Sequence, residues 1–225
     1  MNKIANAGIA LGKALAGIHP ASAFFTTIYN EYINEQWQER RELWEKTFEE
    51  KFKKLEDEIG KDRIKSVSNF ASLFASATHA AMTDIEEDKL NYYATSVINA
   101  IKQERGEYSK VHVFLNLLRE LTNKHLGLLY YLQNPIKNAE LPDKTQGYAN
   151  RSLHSDLIAR CPWLSDDEEL LKKIMKDLYN NGLTKLEGIT FGRVEYNCTQ
   201  YAQKYTTKLG DEFLAFITEQ EAKND

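Results

Sequence analysis

Between Tyr29 and Ile59 the sequence YNEYINEQWQERRELWEKTFEEKFKKLEDEI contains no proline and no glycine, and apolar residues recur at Ile33, Trp37, Trp44, Phe48, Phe52, Leu55 and Ile59. Steps of three, four and seven define one stripe on an α-helix. The exposed side is laced by acid-before-base pairs four residues apart, Glu42 with Lys46, Glu49 with Lys53 and Glu50 with Lys54, each worth about 0.2–0.5 kcal/mol. Gly60 ends the run. About thirty residues at roughly 1.5 Å each give about 45 Å of helix, longer than a small domain is wide. Shorter helices must pack along it, or it projects. The stripe is most economically core, and Trp37, Trp44, Phe48 and Phe52 are its candidate assembly surface. A nucleic-acid platform is disfavoured because acids alternate with bases along the same helix.

Helical spacing continues. Ile64, Val67, Phe70, Phe74, Ala77 and Ala81 predict a second helix through Met82, rich in Ala and Ser. Thr83-Asp84-Ile85-Glu86 has the Thr-x-x-Glu form of a capping box and is expected to open a third helix, carrying Leu90, Ala94, Val97, Ile98 and Ile101 inward. Ser109 can cap a fourth helix, with Val111, Phe114, Leu115, Leu118 and Leu121 on one face. Thr122 can cap a fifth, with Leu126, Leu129 and Leu132, stopping at Asn134-Pro135. With short connections and no β pattern over 29–134, an antiparallel helical bundle is expected.

Residues 135–150, PIKNAELPDKTQGYAN, lack periodicity and read as a linker. The expected domains are therefore a helical domain over 1–134, comprising a Gly/Ala-rich segment 1–28 and the long helix 29–59, and a second module over 151–225. In that module Ser152 can cap a short helix ending at Cys161-Pro162. Ser165-Asp166-Asp167-Glu168 reads as a capping box for a helix bearing Leu170, Leu171, Ile174, Met175 and Leu178, stopped by Asn180-Asn181-Gly182. β-Branched and aromatic residues around Gly188 and Gly192 suggest two or three short strands, and a last helix begins near Thr207. Helix, helix, hairpin, helix is the order of a winged helix. The fold expected is mainly α: a bundle with one long charged helix, followed by a small winged-helix-like α+β module.

A winged helix that reads DNA uses the helix before the wing. Here that turn is Asp166, Asp167, Glu168 and Glu169, and the chain from Pro135 onward carries 12 Lys/Arg against 15 Asp/Glu. Lys172, Lys173, Lys176, Arg193 and Lys204 are the candidate nucleic-acid contacts, but the acidic first turn should repel phosphate. The whole chain has a net charge of -4 and pI of about 5.8, so no global positive field attracts a phosphate backbone.

The N-terminal segment MNKIANAGIALGKALAGIHPASA superficially has the parts of a secretory signal. Asn6 and Lys13 interrupt its apolar middle and His19-Pro20 precedes the supposed cut, so a cleaved signal is not expected. From Ile4 to Ile18 there are 15 residues, short of the roughly 20 that span a bilayer. Gly8 and Gly12 form a small-xxx-small pair. With Ile9, Leu11 and Leu15 they make a candidate face for a membrane surface or for close helix packing. Packing is the preferred use.

Catalytic patterns are weak. Glu107 to His112 and Glu120 to His125 are five apart, not the Glu-x-x-His of a bundle metal site, and His79, His112 and His125 read as satisfied or exposed histidines. His154-Ser155-Asp156 are sequence neighbours rather than a spatial triad. Cys161 and Cys198 form neither a CxxC pair nor a disulfide scaffold. No GxGxxG or Walker motif is present. No enzyme activity, metal or cofactor is expected.

Glu87-Asp88-Lys89-Leu90 with Tyr93-Ala94 and Ile98, then Phe114-Leu115-Asn116-Leu117-Leu118-Arg119-Glu120-Leu121-Thr122, resembles the centre of the bacterial Abi-alpha (abortive-infection alpha) family. Leu178-Tyr-Asn-Asn-Gly-Leu183 followed by Thr207-Lys-Leu-Gly210 and Phe213-Leu214 is similar to that family's closing segment, with Thr206 departing from its pattern. The resemblance spans about residues 60–217. It implies a cytoplasmic bacterial or prophage protein linked to phage defence, and carries over no catalytic residue. The function expected is a non-enzymatic helical interaction component that contacts a protein partner or a second copy of itself. The alternatives are a membrane-perturbing effector acting through 4–28, peripheral to the inner membrane, and a winged-helix DNA-binding regulator. Nucleic acid is the disfavoured partner, and no small-molecule substrate is evident.

Overall fold

In a computed structural model of the chain the described residues are 34–67, 69–102, 108–134, 167–187 and 204–219. They are mainly helical: α1 (Asn34–Ile59), α2 (Lys61–Lys65), α3 (Phe70–Thr83), α4 (Lys89–Lys102), α5 (Tyr108–Glu120), α6 (Asn123–Gln133), α7 (Glu168–Asn180) and α8 (Lys208–Ile217). The boundary expected at 135–150 lies outside the described residues.

The long helix forms as its stripe dictates. Trp44 and Leu55 are buried, and Phe48 and Phe52 pack between them against Phe70 and Phe74 of α3. Ring centroids 4.8 Å apart for Phe48 and Phe74 and 5.9 Å for Phe52 and Phe70 make this an aromatic seam between α1 and α3. Gly60 closes α1 with φ of 80°, a left-handed conformation that glycine takes without a Cβ penalty.

α4 is the hub. It packs against α1, α3, α5 and α8, and ten of its 14 residues are buried. A helix covered on all sides needs apolar or small residues all round. Ala94 and Ser96 have no exposed surface and let neighbouring backbones approach. Its polar Asn99 is consumed by the end of α8, where Nδ2 donates towards the carbonyls of Ala215 (3.1 Å), Phe216 (2.9 Å) and Thr218 (2.9 Å). These carbonyls at the helix end would otherwise lack donors.

α7 packs on α6, and α8 on both α6 and α4. One buried apolar cluster therefore runs from Trp44 to Ile217. α7 ends in a Schellman motif: Leu183 N–H donates to Leu178 O (2.9 Å) and Gly182 N–H to Tyr179 O (2.8 Å), with Gly182 at φ 69°. Thr207 caps α8, its hydroxyl accepting from Gly210 N–H at 3.0 Å.

Two expectations are corrected. The helix predicted from Ile64 through Met82 is broken between α2 and α3, where the Ser66 hydroxyl donates to Arg63 O at 2.7 Å. Such short polar side chains compete with the helical ladder. The box at Thr83–Glu86 does not open α4. Thr83 instead closes α3 by donating to His79 O at 2.8 Å, and α4 begins at Lys89. Among the described residues no β-strand is present. One isolated antiparallel bridge joins Thr184 to Thr206, flanked by Lys185 N–H to Tyr205 O (2.8 Å) and Thr207 N–H to Leu183 O (3.0 Å). Residues 188–203, where strands are expected, lie outside the described residues. A smaller adjustment is that Asp167 caps α7, its carboxylate accepting from Leu170 N–H at 2.9 Å.

Candidate functional site

α3 is alanine-rich at its end, with Ala77, Ala80 and Ala81 buried, so it lies close to α4. Beyond it Asp84 is extended (φ -70°, ψ 144°), and successive side chains of an extended segment point to opposite sides. Asp84 turns inward. One carboxylate oxygen accepts from Glu86 N–H at 3.0 Å; the other accepts from the Tyr93 hydroxyl at 2.6 Å and pairs with Lys89 Nζ at 2.6 Å. Lys89 is 1% exposed and Tyr93 fully buried. Glu86 also turns inward and accepts from Asn123 N–H at 2.7 Å, while Lys89 Nζ lies 3.4 Å from Arg119 O. The turn between α3 and α4 is thereby tied to the corner between α5 and α6.

Ile85 lies between those two inward carboxylates, and it is 97% exposed. It stands at the lip of a cleft of roughly 570 Å³, lined by Lys89, Asn116, Arg119, Glu120 and Thr122 among others. Burial pushes the Asp84 carboxyl up, but the bonds from Lys89, Tyr93 and the Glu86 amide outweigh it and hold its pKa below the ordinary carboxylate value. Burial, reinforced by the bond to Asp84, pushes the Tyr93 phenol well above its usual value. This network is satisfied from within and holds helices together.

A second polar link joins α6 to α7. His125 is buried; its Nδ1 accepts from Thr122 N–H at 3.2 Å in a capping box, and its Nε2 faces Asp177 at 3.5 Å. Histidine takes the place Glu or Gln ordinarily fills. Its pKa is lowered by burial, which outweighs the opposing pull of Asp177.

The sequence-derived candidates are placed as follows. Gly8, Ile9, Leu11, Gly12 and Leu15 lie outside the described residues. Trp44, Phe48 and Phe52 are engaged in the seam with α3, and Trp37 is half-buried one turn from the start of α1. Lys172 is paired with Glu168 and Glu169, Lys173 with Asp177, and Lys204 with Asp211, while Lys176 is exposed on the same helix as the first two. Bonds to its two glutamates push the Lys172 ammonium up to about 12. Arg193, Cys161, Cys198 and the His154-Ser155-Asp156 run lie outside the described residues. His79 and His112 are exposed.

No protein-family model matches the chain, and no curated protein or solved structure matches it significantly. Among the described residues no cluster of metal-ligating side chains occurs, and no helix is long and apolar enough to cross a membrane.

Sequence reasoning missed Asp84, Ile85, Lys89 and Tyr93 as a group. One signal was readable: Lys89, Tyr93 and Val97 fall at four-residue steps on one face of α4, so a lysine stands in line with core residues. The exposure of Ile85 had no such signal, because the capping-box reading placed it inside a helix.

Proposed function

We propose that this protein is a non-enzymatic helical interaction component of a bacterial phage-defence system of abortive-infection type, working in the cytoplasm by contact with another protein. The observation that carries the contact reading is Ile85, a large apolar side chain left 97% exposed beside a cleft. A large apolar side chain held at the lip of a cleft is an anchor that a partner can cover. Its frame is the Asp84–Lys89–Tyr93 network, which fixes the turn from inside. The defence context rests on the resemblance of Glu87 to Thr122 and of the closing segment to the Abi-alpha family. Co-purification of the full chain from its native host, with identification of stoichiometric partners, tests the contact. A solitary monomer with measurable turnover of a substrate defeats it. Deleting the gene and scoring phage plating tests the context.

We further infer a winged-helix-like C-terminal module, for which the antiparallel pairing of Thr184 with Thr206 is the support among the described residues. We read that module as serving protein contact rather than DNA. Lys172, Lys173 and Lys204 are already matched by carboxylates, and roughly four usable cations would give only weak, non-specific duplex binding. A sequence-dependent gel shift at about 0.15 M salt, weakened by Lys173→Glu, would reverse that ranking.

A further inference from the structure

Resting on the contact reading, we infer that the Ile85 cleft docks a basic amphipathic helix, inserting its apolar face beside Ile85 and setting its cations against the acidic turn. A second exposed apolar side chain stands on α5, the helix that walls the cleft. Asn116 and Glu120 line it, and Val113, 48% exposed, shares their face of α5 one turn further back. Ile85 at the lip, and Val113 on the α5 face that Asn116 and Glu120 share, are the exposed apolar side chains offered to such a helix.

Charge selects the occupant. Asp84 is matched by Lys89, and the cleft wall from α5 carries one charge of each sign, Arg119 and Glu120. Glu86, Glu87 and Asp88 remain unbalanced, the last two exposed, with no ion pair among the described residues. An acidic helix brought to this rim would meet like charge, whereas lysines on the polar face of a basic one would meet carboxylates. Such complementarity governs choice of partner and association rate more than raw affinity.

The test titrates the full chain with two synthetic peptides of about eighteen residues, roughly five helical turns. They share one leucine pattern and differ in carrying lysine or glutamate at the polar positions. Backbone amide shifts are the readout. The lysine peptide is expected to bind at least about tenfold tighter, with shifts concentrated at 83–88 and 113–121. Ile85→Gln and Val113→Gln, both at exposed positions, are expected to weaken it about fivefold or more. Glu87→Lys with Asp88→Lys is expected to abolish or invert the preference. Equal binding of the two peptides, shifts centred elsewhere, or indifference to Ile85→Gln overturns the inference. The contact reading is judged separately by native-host capture. A partner retained equally by Ile85→Gln leaves that reading standing and removes the cleft from it, whereas absence of any partner defeats that reading while the titration still decides the chemistry of the cleft.

Discussion

A lysine ammonium with 1% of its surface exposed is tolerable only because Asp84 meets it at 2.6 Å and Tyr93 shares the same carboxylate. Breaking such a pair strands a buried charge, at a cost of about 3–5 kcal/mol. Lys89→Met is therefore expected to lose that much stability in a urea titration, and adding Asp84→Asn is expected to recover a good part, since the neutral amide oxygen still accepts from Tyr93. A Lys89→Met protein within about 0.5 kcal/mol of the parent would contradict this. His125 makes a different prediction. Its folded pKa is depressed by burial below the ordinary 6.5, so the unfolded chain binds the proton more readily. Its contribution is complete above about pH 6.5 and is lost as pH falls through the folded value. The lowered carboxyl groups of Asp84, Asp177 and Asp211 contribute above about pH 3.8 and lose their share below it, in a separate, more acid window. Melting temperatures followed from pH 8 to pH 5 should fall, and His125→Gln should flatten that fall; an unchanged slope in the variant would assign it to other groups.

Where an element begins or ends is decided by backbone conformation and caps, and glycines separate the two contributions. Gly60 (φ 80°) has nothing within 4 Å of where a Cβ would stand, whereas a Cβ on Gly210 would sit 2.1 Å from Leu183 O. Gly60→Ala thus carries only the left-handed penalty, about 1–2 kcal/mol. Gly210→Ala must displace backbone between α7 and α8, and is expected to cost more than Gly60→Ala despite alanine's better helix propensity. Thermal melts of the two single variants rank them, and the reverse order would mean that the α7–α8 contact is loose. The helices themselves were legible. Periodicity predicts α1, α4 to α8 and their inward faces, because the 3.6-residue repeat is written in local sequence; Asn180-Asn181-Gly182 and Thr207 likewise announce their cap and stop. The break at Ser66 and the fate of Thr83 were not legible, since each motif has two uses. A Thr-x-x-Glu run can open a helix, but here Glu86 is taken by Asn123 N–H, 37 residues away, and long-range competition of that kind leaves no local trace. Leu170 shows the same limit: it follows the stripe of α7, yet is 37% exposed because nothing among the described residues covers its end of the helix.

The whole molecule is organised by α4, which places one helix from beyond residue 135 against the same core as α1, α3 and α5. The sequence suggests a helical domain and a second module divided at 135–150, a boundary that lies outside the described residues. The deciding contacts are specific. Asn99 holds three carbonyls at the end of α8, Phe114 of α5 meets Phe213 and Phe216 with centroids 5.6 and 5.4 Å apart, and Tyr205 N–H donates to Leu132 O at 3.0 Å. Loss of a contact inside one cooperative unit lowers the stability of every part of it, whereas loss inside an independent module leaves the other part untouched. Trp44 reports the far side of the core, in the seam between α1 and α3. In a chain retaining Trp44 as its single tryptophan, Phe213→Ala is expected to lower the urea midpoint by an amount equivalent to about 3–5 kcal/mol. Asn99→Ala, which strands buried carbonyls, should cost about 1–3 kcal/mol. Both shifts should be the same by Trp44 fluorescence and by far-ultraviolet circular dichroism. A fluorescence midpoint that stays in place while the dichroism transition splits would mean that α8 unfolds by itself, and that α4 is merely a surface on which it rests.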